Sequence, residues 1–555
     1  MTTELLAPLD LAFWHLESPD HPMHLGALAV FDAAPGAGSA ADDEALVELL
    51  ATRAAAVPRL RMRVRDVLLP VGGAAWSVDK DFDVRSHVRH LELPPGDFAE
   101  ETTRLAGELM ERPLERGIPP WEMYVLTGGE GGEGGEGGEG GEGGEGGARA
   151  GRSFAVLVKL HHALADGMRA VAIGAGIFDQ IADARAAGTR RARPAPPRSW
   201  LADRVRDRIG ELGRALGIGA SVVRASRLDL RATTALVAGS SGTRRLATAV
   251  LALEDVRRVR KEHGGTVNDV LLATVAGALR RWMLERGERL PDCDPRTDPR
   301  ALVPVSGRRP SRARQGAGAG GSSGSGNMFS AYLLGLPVSE PDPLSRLTAV
   351  REAMDRNKKD GPSRGPGAVA LLAGQLHPLA HRLGAPLAGN AARILFDVLV
   401  TSVPLPRATL SFGGCPLREI YPMAPLARGQ SLAVGLTTYG GQVHVGLVAD
   451  GKALPDLDGL AKNMTAELDA LLRTTSGEAA AGVPTVEPVP SAGARAEPGL
   501  APGRAVSARA GRPARDSARA ATPAAPAEAA PAAEPPVPVQ LALIAEPAEP
   551  ADLAR

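Results

Sequence analysis

The chain has 555 residues, of which 44% are hydrophobic and only 3% aromatic, and its 64 basic side chains match its 64 acidic ones in number. This length predicts two domains and a tail rather than one domain, and the zero formal charge argues against a dedicated nucleic-acid-binding protein. The two distant cysteines, Cys293 and Cys415, exclude a disulfide framework and a zinc cluster, and no apolar run reaches the roughly 18 residues that a membrane-spanning helix needs.

The N-terminal part of the chain alternates between helical and strand-like hydrophobic patterns. The predicted elements are a helix behind Pro8, a strand at 22–31, a helix at 42–56, strands at 59–69, 76–78 and 87–91, a helix at 97–110 and a strand at 121–126. A run of Gly-Gly-Glu triplets then occupies residues 128–147. Because such a segment buries no apolar surface, we expect a flexible, solvated loop that interrupts the domain between two strands.

Two adjacent histidines, His161 and His162, follow the next run of strand-favouring residues. Histidine readily takes a proton near neutral pH, and successive strand residues point to opposite faces, so only one of the two can face a given substrate. Asp166 could orient an imidazole or brace the loop through a salt bridge, and Gly167 would allow a tight turn into a predicted helix at 168–186. A structural role for the histidine pair is the alternative.

The second half begins with a Pro- and Arg-rich linker and an Arg-rich amphipathic helix or helix pair at 201–227. That segment could rest on an anionic membrane or simply bridge two domains. From residue 242 the predicted elements are strands at 244–253, 301–305, 329–336 and 394–403, helices at 253–263, 266–286, 342–358, 369–383 and 455–472, and a hairpin of strands 432–439 and 443–448. Beyond about residue 476 the Ala-, Pro- and Glu-rich composition predicts disorder.

Nine short segments between residues 4 and 475 are modest signals one by one, but together their order and spacing are typical of one protein family. They are PLD at 8–10, PMH at 22–24, PPWE at 119–122, HHALADG at 161–167, VNDVLLA at 267–273, VPVS at 303–306, GN at 326–327, TSVPLP at 401–406 and GLVAD at 446–450. Together they resemble the bacterial wax ester synthase/diacylglycerol acyltransferase family, within the CoA-dependent acyltransferases of chloramphenicol-acetyltransferase-like fold. The HHxxxDG motif is complete.

Two motifs depart from the family pattern. The family commonly has Pro-Leu-Trp where this chain has Pro119-Pro120-Trp121, and Asn-Val-Pro-Gly-Pro at residues 402–406, where this chain has Leu405 in place of the glycine. The change at Leu405 removes backbone freedom at positive φ, which bears on the shape of the substrate channel and on substrate preference. The Gly-Gly-Glu run and the long tail also lie outside the family pattern.

The resemblance implies an α/β fold of two chloramphenicol-acetyltransferase-like lobes, with the active site in a tunnel between them. We therefore predict an N-terminal acyltransferase lobe at 1–185, which carries the HHxxxDG motif and the 128–147 insertion. A linker and helical crossover at 186–241 and a C-terminal acyltransferase lobe at 242–475 follow, and a disordered tail occupies 476–555.

The reaction implied by the resemblance is acyl transfer from acyl-CoA to a hydroxyl of diacylglycerol or of a long-chain alcohol, which makes triacylglycerol or wax ester. The resemblance assigns the general base to His162, which takes the hydroxyl proton and passes it to the departing CoA sulfur. His161 would be a packing or loop-shaping residue, Asp166 would orient the loop through an ion pair with an unidentified arginine, and Gly167 would permit the turn.

Substrate-binding residues are predicted in the second half. Acyl transfer requires a donor for the developing oxyanion, and Asn268, near a predicted helix start, is a candidate; a simple helix cap is the equal alternative. Arg308 and Arg309, with Arg312 and Arg314, could meet the CoA phosphates, or could form a solvated basic loop. We expect no metal, and no cofactor beyond acyl-CoA as a substrate.

Other functions remain open at this point. The motif also occurs in condensation domains, so the donor could be a carrier-bound acyl group, or the acceptor another complex lipid. A non-catalytic lipid-binding protein and a metal hydrolase using the two histidines and Asp166 are further alternatives, although adjacent strand histidines do not easily bind one ion. We expect a cytoplasmic protein that can associate with the inner membrane face or with lipid inclusions, and no nucleic-acid partner.

Overall fold

The computed structural model describes residues 4–33, 40–128, 153–179, 236–288, 290, 298–306, 329–360, 379, 382, 395–406 and 408–475. The strands are β1 Glu4–Leu5, β2 His24–Asp32, β3 Met62–Asp66, β4 Ala74–Val78, β5 Val88–Leu93, β6 Trp121–Gly128, β7 Ser153–His161, β8 Arg244–Ala252, β9 Arg300–Ser306, β10 Phe329–Gly335, β11 Val398–Val403, β12 Ser411–Phe412, β13 Cys415–Met423, β14 Leu432–Tyr439 and β15 Gln442–Asp450. The helices are α1 Pro8–Leu16, α2 Ala40–Ala56, α3 Phe98–Glu111, α4 Gly167–Gly174, α5 Leu253–His263, α6 Val267–Glu285, α7 Pro343–Asp360 and α8 Leu457–Thr475.

Within these ranges the strands form two six-stranded sheets and a small third sheet. The first sheet has the order β12-β13-β2-β7-β6-β5, and the second has the order β10-β9-β11-β14-β15-β8. Strands β1, β4 and β3 form the third sheet. Helices α6 and α8 pack on the second sheet, and α6 is buried along most of its length. The predicted α/β class with two lobes, each built around one large sheet, is confirmed.

Most of the predicted elements are present with shifted ends, and the shifts have local causes. The strand predicted at 59–69 begins with a 3-10 turn, Pro58–Arg61, because proline fixes the φ angle that starts the turn. The helix predicted at 168–186 is described only as Gly167–Gly174. The segments at 128–147, 201–227 and 476–555 lie mostly or wholly outside the described residues. None of the helices that can be described is long and apolar enough to cross a membrane.

One strand from late in the chain, which the sequence analysis did not predict, belongs to the first sheet. Strand β13 pairs antiparallel with β2, with Met423 opposite Gly26 and Leu417 opposite Phe31, and β12 extends the same sheet. The sequence analysis predicted no strand at 411–423 and placed these residues in the C-terminal lobe. The strand was missed because the pairing joins residues from opposite ends of the chain, which local periodicity does not reveal. The predicted boundaries stay predictions.

The same strand lies directly against the second sheet at a pair of glycines. Gly435 and Gly446 are opposite each other in the ladder between β14 and β15. A Cβ atom at Gly435 would lie 2.3 Å from the Pro422 carbonyl oxygen, and a Cβ atom at Gly446 would lie 2.2 Å from it. Only glycine leaves room for a backbone at this distance. The pair therefore sets how closely β13 approaches the second sheet.

Candidate active site

An apolar cavity of about 520 Å³ lies between the two large sheets. Its wall includes Leu25 of β2, Val158 of β7, Leu302 of β9, Leu399 of β11 and Met423 of β13. Among the described residues that line it, His162 and Asp166 are the only ones with ionisable side chains. A long aliphatic chain could therefore be buried here next to one basic group.

His162 follows β7 directly and faces this cavity. Its backbone N–H donates to the Met23 carbonyl oxygen at 2.8 Å, and its ring stacks on Phe13 with centroids 4.0 Å apart. Burial lowers the pKa of His162 to about 4, although the residue's own backbone carbonyl and Asp166 act in the opposite direction. The ring is therefore neutral across the physiological pH range and can accept a proton.

His161 is fully buried on the other side of the strand and is not among the described cavity-lining residues. Its Nδ1 accepts a hydrogen bond from the Ala163 backbone N–H at 3.0 Å, so in the neutral ring the proton is on Nε2. That Nε2 lies 3.4 Å from Glu17 Oε1, and the Trp14 ring packs edge-on at 5.0 Å between centroids. The structure thus presents only one histidine of the pair to a substrate.

Asp166 acts on the helix that follows the motif. It is the N-cap of α4, and its Oδ1 accepts a hydrogen bond from the Arg169 backbone N–H at 2.8 Å. In the part of the chain that is described, no arginine forms an ion pair with Asp166, and the Arg169 guanidinium lies 3.7 Å from Asp10 instead. Asp166 thus caps α4 and satisfies an otherwise unpaired N–H group at the helix start, and its expected ion pair with an arginine stays a prediction.

Gly167 lines the cavity at the first residue of α4. Its φ angle lies outside the left-handed region, so the turn into the helix does not require glycine. A Cβ atom at this position would point toward Val403 at 3.6 Å. The φ angle alone therefore does not explain this glycine, and a side chain here would contact Val403 of β11 at the cavity wall.

The other predicted substrate-binding residues are not brought to His162 by the described structure. Asn268 is half-buried in the first turn of α6 and is not among the described lining residues. It is not the helix cap either, because Thr266 is the N-cap and forms a reciprocal capping box with Asp269. Arg308 and Arg309 lie outside the described residues. The oxyanion and phosphate roles stay predictions.

The sequence analysis did not predict some residues of the cavity wall, and it gave others only as members of a motif. Residues 402–406 form a continuous part of the wall, and this part includes Leu405 in place of the family glycine. Phe13, whose ring stacks on His162, was predicted only as part of a helix. Glu17, which contacts His161 and is not among the described residues of the cavity wall, was also missed. Its signal in the sequence is an acid at the C-terminal end of a helix, which opposes the helix dipole and needs compensating partners.

Comparison with protein families gives two matches along the chain. The model of the wax ester synthase/diacylglycerol acyltransferase catalytic domain matches residues 6–134 and 145–271. The model of the WS/DGAT C-terminal domain matches residues 325–472. The gap at 135–144 falls inside the Gly-Gly-Glu run.

Curated relatives match the chain in sequence, and solved structures match it in fold. The chain is 30% identical over 479 residues to the probable diacylglycerol O-acyltransferase tgs1 of Mycobacterium tuberculosis, covering 83% of this chain and 94% of the relative. It is also 30% identical to tgs2 of that organism, over 84% of this chain and 98% of the relative. In fold it is similar to the wax ester synthase/diacylglycerol acyltransferase from Marinobacter aquaeolei VT8, with a TM-score of 0.58 at 23% identity, covering 85% of this chain and all of the other. The first condensation domain of the CDA synthetase has a TM-score of 0.50 at 18% identity, covering 86% and 97% of the two chains.

Proposed function

The chain belongs to the wax ester synthase/diacylglycerol acyltransferase family and is an acyltransferase, and we propose that it transfers a long-chain acyl group from acyl-CoA to a hydroxyl of diacylglycerol or of a long-chain alcohol. The observation that supports this reaction most is the position of His162. It is the single imidazole among the described residues lining an apolar cavity, and the pKa shift that burial causes keeps it neutral.

The proposed chemistry uses this neutral imidazole as a general base. His162 takes the proton of the acceptor hydroxyl while the oxygen attacks the thioester carbonyl carbon, which breaks the carbon–sulfur bond once the tetrahedral intermediate collapses. The imidazolium then returns the proton to the leaving CoA thiolate, so the base is regenerated and the products are an ester and free CoA. General-base assistance of this kind contributes about 10²–10⁴ in rate. The apolar wall holds the acyl chain and limits the access of water that would hydrolyse the thioester.

The alternatives differ in what the same cavity would hold. A carrier-bound acyl donor or another complex-lipid acceptor would use the same base. A non-catalytic lipid-binding protein would need the cavity but no base at its wall. A metal hydrolase would need His161, His162 and Asp166 to converge, yet His161 is on the far side of the strand and the Asp166 carboxylate caps α4.

The proposal is tested by following CoA thiol release from palmitoyl-CoA with the purified full-length protein. We expect release that depends on an added acceptor, either 1,2-dioleoylglycerol or hexadecanol, and the preferred acceptor identifies the product class. Assays without an acceptor measure background thioester hydrolysis. Folded protein that releases no CoA with either acceptor would contradict the proposal and favour a carrier-bound donor or lipid binding alone.

We further infer that the protein meets its lipid acceptor at an anionic membrane surface, through the tip of the hairpin formed by β3 and β4. Leu68, Leu69 and Val71 at this tip are 89%, 76% and 52% exposed. Exposed leucines held together at a loop tip are typical of an interaction site. Arg65 in β3 and Arg61 just before this strand are exposed, and basic groups are attracted to anionic leaflets.

The tip is a hydrogen-bonded loop that is connected to the cavity wall. The Val67 N–H donates to the Gly73 carbonyl oxygen at 3.1 Å and the Gly73 N–H to the Pro70 carbonyl oxygen at 2.8 Å, and these bonds close the loop. His15 of α1 lies within hydrogen-bonding distance of the Gly72 carbonyl oxygen, at 3.3 Å, and Phe13 of the same helix lines the cavity. Docking the tip into a lipid surface would therefore bring α1 and the cavity close to that surface.

The docking proposal predicts the result of a vesicle co-flotation assay. The double variant Leu68→Ser/Leu69→Ser should bind anionic phosphatidylglycerol vesicles at least about tenfold more weakly than the wild type, since each leucine contributes on the order of 1 kcal/mol on partial insertion. Leu284→Ser, at a leucine that is 51% exposed on α6, is the matched control and should bind normally. Equal binding of the double variant and the wild type would refute the role of the tip, and equal wild-type binding to neutral phosphatidylcholine would refute the charge preference.

A further inference from the structure

Glu17 is a nearly buried acid next to the histidine motif, and its side chain is only 5% exposed. It directly follows α1, where the helix dipole disfavours a negative charge. Burial alone would raise the pKa of Glu17, but the His161 ring, Arg116 and the Met23 N–H overcome this and lower it to about 2. The group is therefore an anion at every working pH, and its charge must be compensated by specific neighbours.

Three neighbours surround the carboxylate. Oε1 accepts a hydrogen bond from the Met23 backbone N–H at 3.3 Å and lies 3.4 Å from His161 Nε2. Oε2 accepts a hydrogen bond from the Arg116 guanidinium at 3.1 Å. The guanidinium in turn stacks over the Trp14 ring, 4.5 Å from its centroid, and donates to the Trp14 carbonyl oxygen at 3.0 Å. One carboxylate thus holds a backbone group, a histidine ring and an arginine.

Two of these contacts lead directly to His162. Met23 links Glu17 to the candidate base. Its backbone N–H donates to Glu17, and its carbonyl oxygen accepts a hydrogen bond from the His162 backbone N–H. His161 precedes the base in sequence. Because its Nδ1 accepts the Ala163 N–H, its Nε2 carries the ring proton, and this atom lies 3.4 Å from Glu17 Oε1, within range of electrostatic attraction. We propose that Glu17 is a positioning residue for His162: Glu17 fixes the position of this base through Met23 on one side and through His161 on the other. This inference rests on the proposed role of His162.

The loop at residues 18–23 is also anchored independently of Glu17. The Asp20 carbonyl oxygen accepts hydrogen bonds from the Arg244 guanidinium and from the Ser240 hydroxyl, each at 2.9 Å. Arg244 begins β8 of the second sheet and Ser240 lies just before this strand, and both hold the loop without the Glu17 carboxylate. A variant that loses only the charge of Glu17 should therefore still fold, which makes the positioning role testable.

The test is Glu17→Gln in the CoA-release assay, with kcat and KM determined separately. Glutamine keeps the shape and can still accept from the Met23 N–H, but it no longer attracts the His161 Nε2–H or Arg116 as an anion. We expect kcat to fall by about 10–100-fold, with KM for palmitoyl-CoA within about threefold of the wild type and a thermal midpoint within a few degrees. Glu419→Gln is the control, because Glu419 lies on the same sheet and pairs with Arg418 and Tyr421, and with neither Met23 nor His161 among the described contacts, so this variant should keep kcat.

Nitrogen-15 NMR of histidine-labelled protein gives a readout that does not depend on activity. The wild type should show His161 as the Nε2–H tautomer, and Glu17→Gln should shift the nitrogen resonances of His161 and His162 while a distant histidine such as His90 keeps its own. A wild-type kcat in Glu17→Gln, unchanged His161 resonances, or a loss of kcat in proportion to a lowered thermal midpoint would each overturn the inference. If the wild type itself releases no CoA, the proposed function fails, and the tautomer measurement still decides whether Glu17 controls the histidine pair.

Discussion

Replacing His162 by alanine is expected to lower kcat for acceptor-dependent CoA release by about 10²–10⁴-fold, with little change in the thermal midpoint. The loss is large because no other imidazole lines the described part of the cavity, and Asp166 is engaged in capping α4. Removing the ring leaves space beside Phe13 without exposing an unpaired charge, since the wild-type ring is neutral.

A second histidine variant provides the control for this loss. His90→Ala should keep wild-type kcat, because His90 lies outside the cavity and contacts Thr127 at 2.8 Å. Acceptor-dependent release that persists in His162→Ala would refute the assignment of the base. A loss that His90→Ala shares would point to a general effect of histidine removal on the fold.

The pH dependence of the wild type is the second signature of the same base. Burial lowers the pKa of His162 to about 4, and only the neutral ring can take a proton, so activity is lost as the pH falls through that value. We expect kcat/KM to stay level from pH 8 down to about pH 5 and then to fall roughly tenfold per pH unit below about pH 4, in a pH-jump assay that avoids acid unfolding. An acid limb near the ordinary histidine pKa of about 6.5 would show that the ring is solvated during the reaction.

Replacing Gly446 by alanine is expected to destabilise the protein by about 3 kcal/mol and to reduce activity with it. The new Cβ atom would lie 2.2 Å from the Pro422 carbonyl oxygen, which is backbone and cannot rotate away. Strand β13 would have to move off the second sheet, and Pro422 and Met423 of that strand line the cavity. Urea unfolding followed by circular dichroism measures the loss.

The matched control for this substitution is another glycine to alanine change. Gly459 lies in helix α8, and a Cβ atom there would meet no atom within 4 Å. Gly459→Ala should therefore be neutral, or more stable by up to about 1 kcal/mol, because alanine is the better helix former. A Gly446→Ala variant that unfolds at the wild-type urea concentration would show that β13 can shift at little cost, and would contradict the role given to the glycine pair.

Local sequence signals were sufficient for the chemistry of the motif but not for its surroundings. The strand that ends at His161, the helix that begins after Asp166 and the alternation of the two histidines across a strand all follow from short-range periodicity. The same reasoning did not predict that Asp166 caps α4, and the expected ion pair of Asp166 with an arginine stays a prediction. A carboxylate that precedes a helix start satisfies the free N–H groups there first.

The sequence by itself determined the fold class, most of the helices and strands, the family, and the two ionisable residues of the described cavity wall. Only the tertiary structure decided that β13 joins β2, that Gly435 and Gly446 admit its backbone, and that Glu17 reaches Met23 and His161. The physical reason is the range of the interactions. Helix and strand periods are set by neighbouring residues along the chain, whereas strand partners, close backbone contacts and buried charge pairs depend on which distant segments pack together, and a single sequence carries no local mark of that choice.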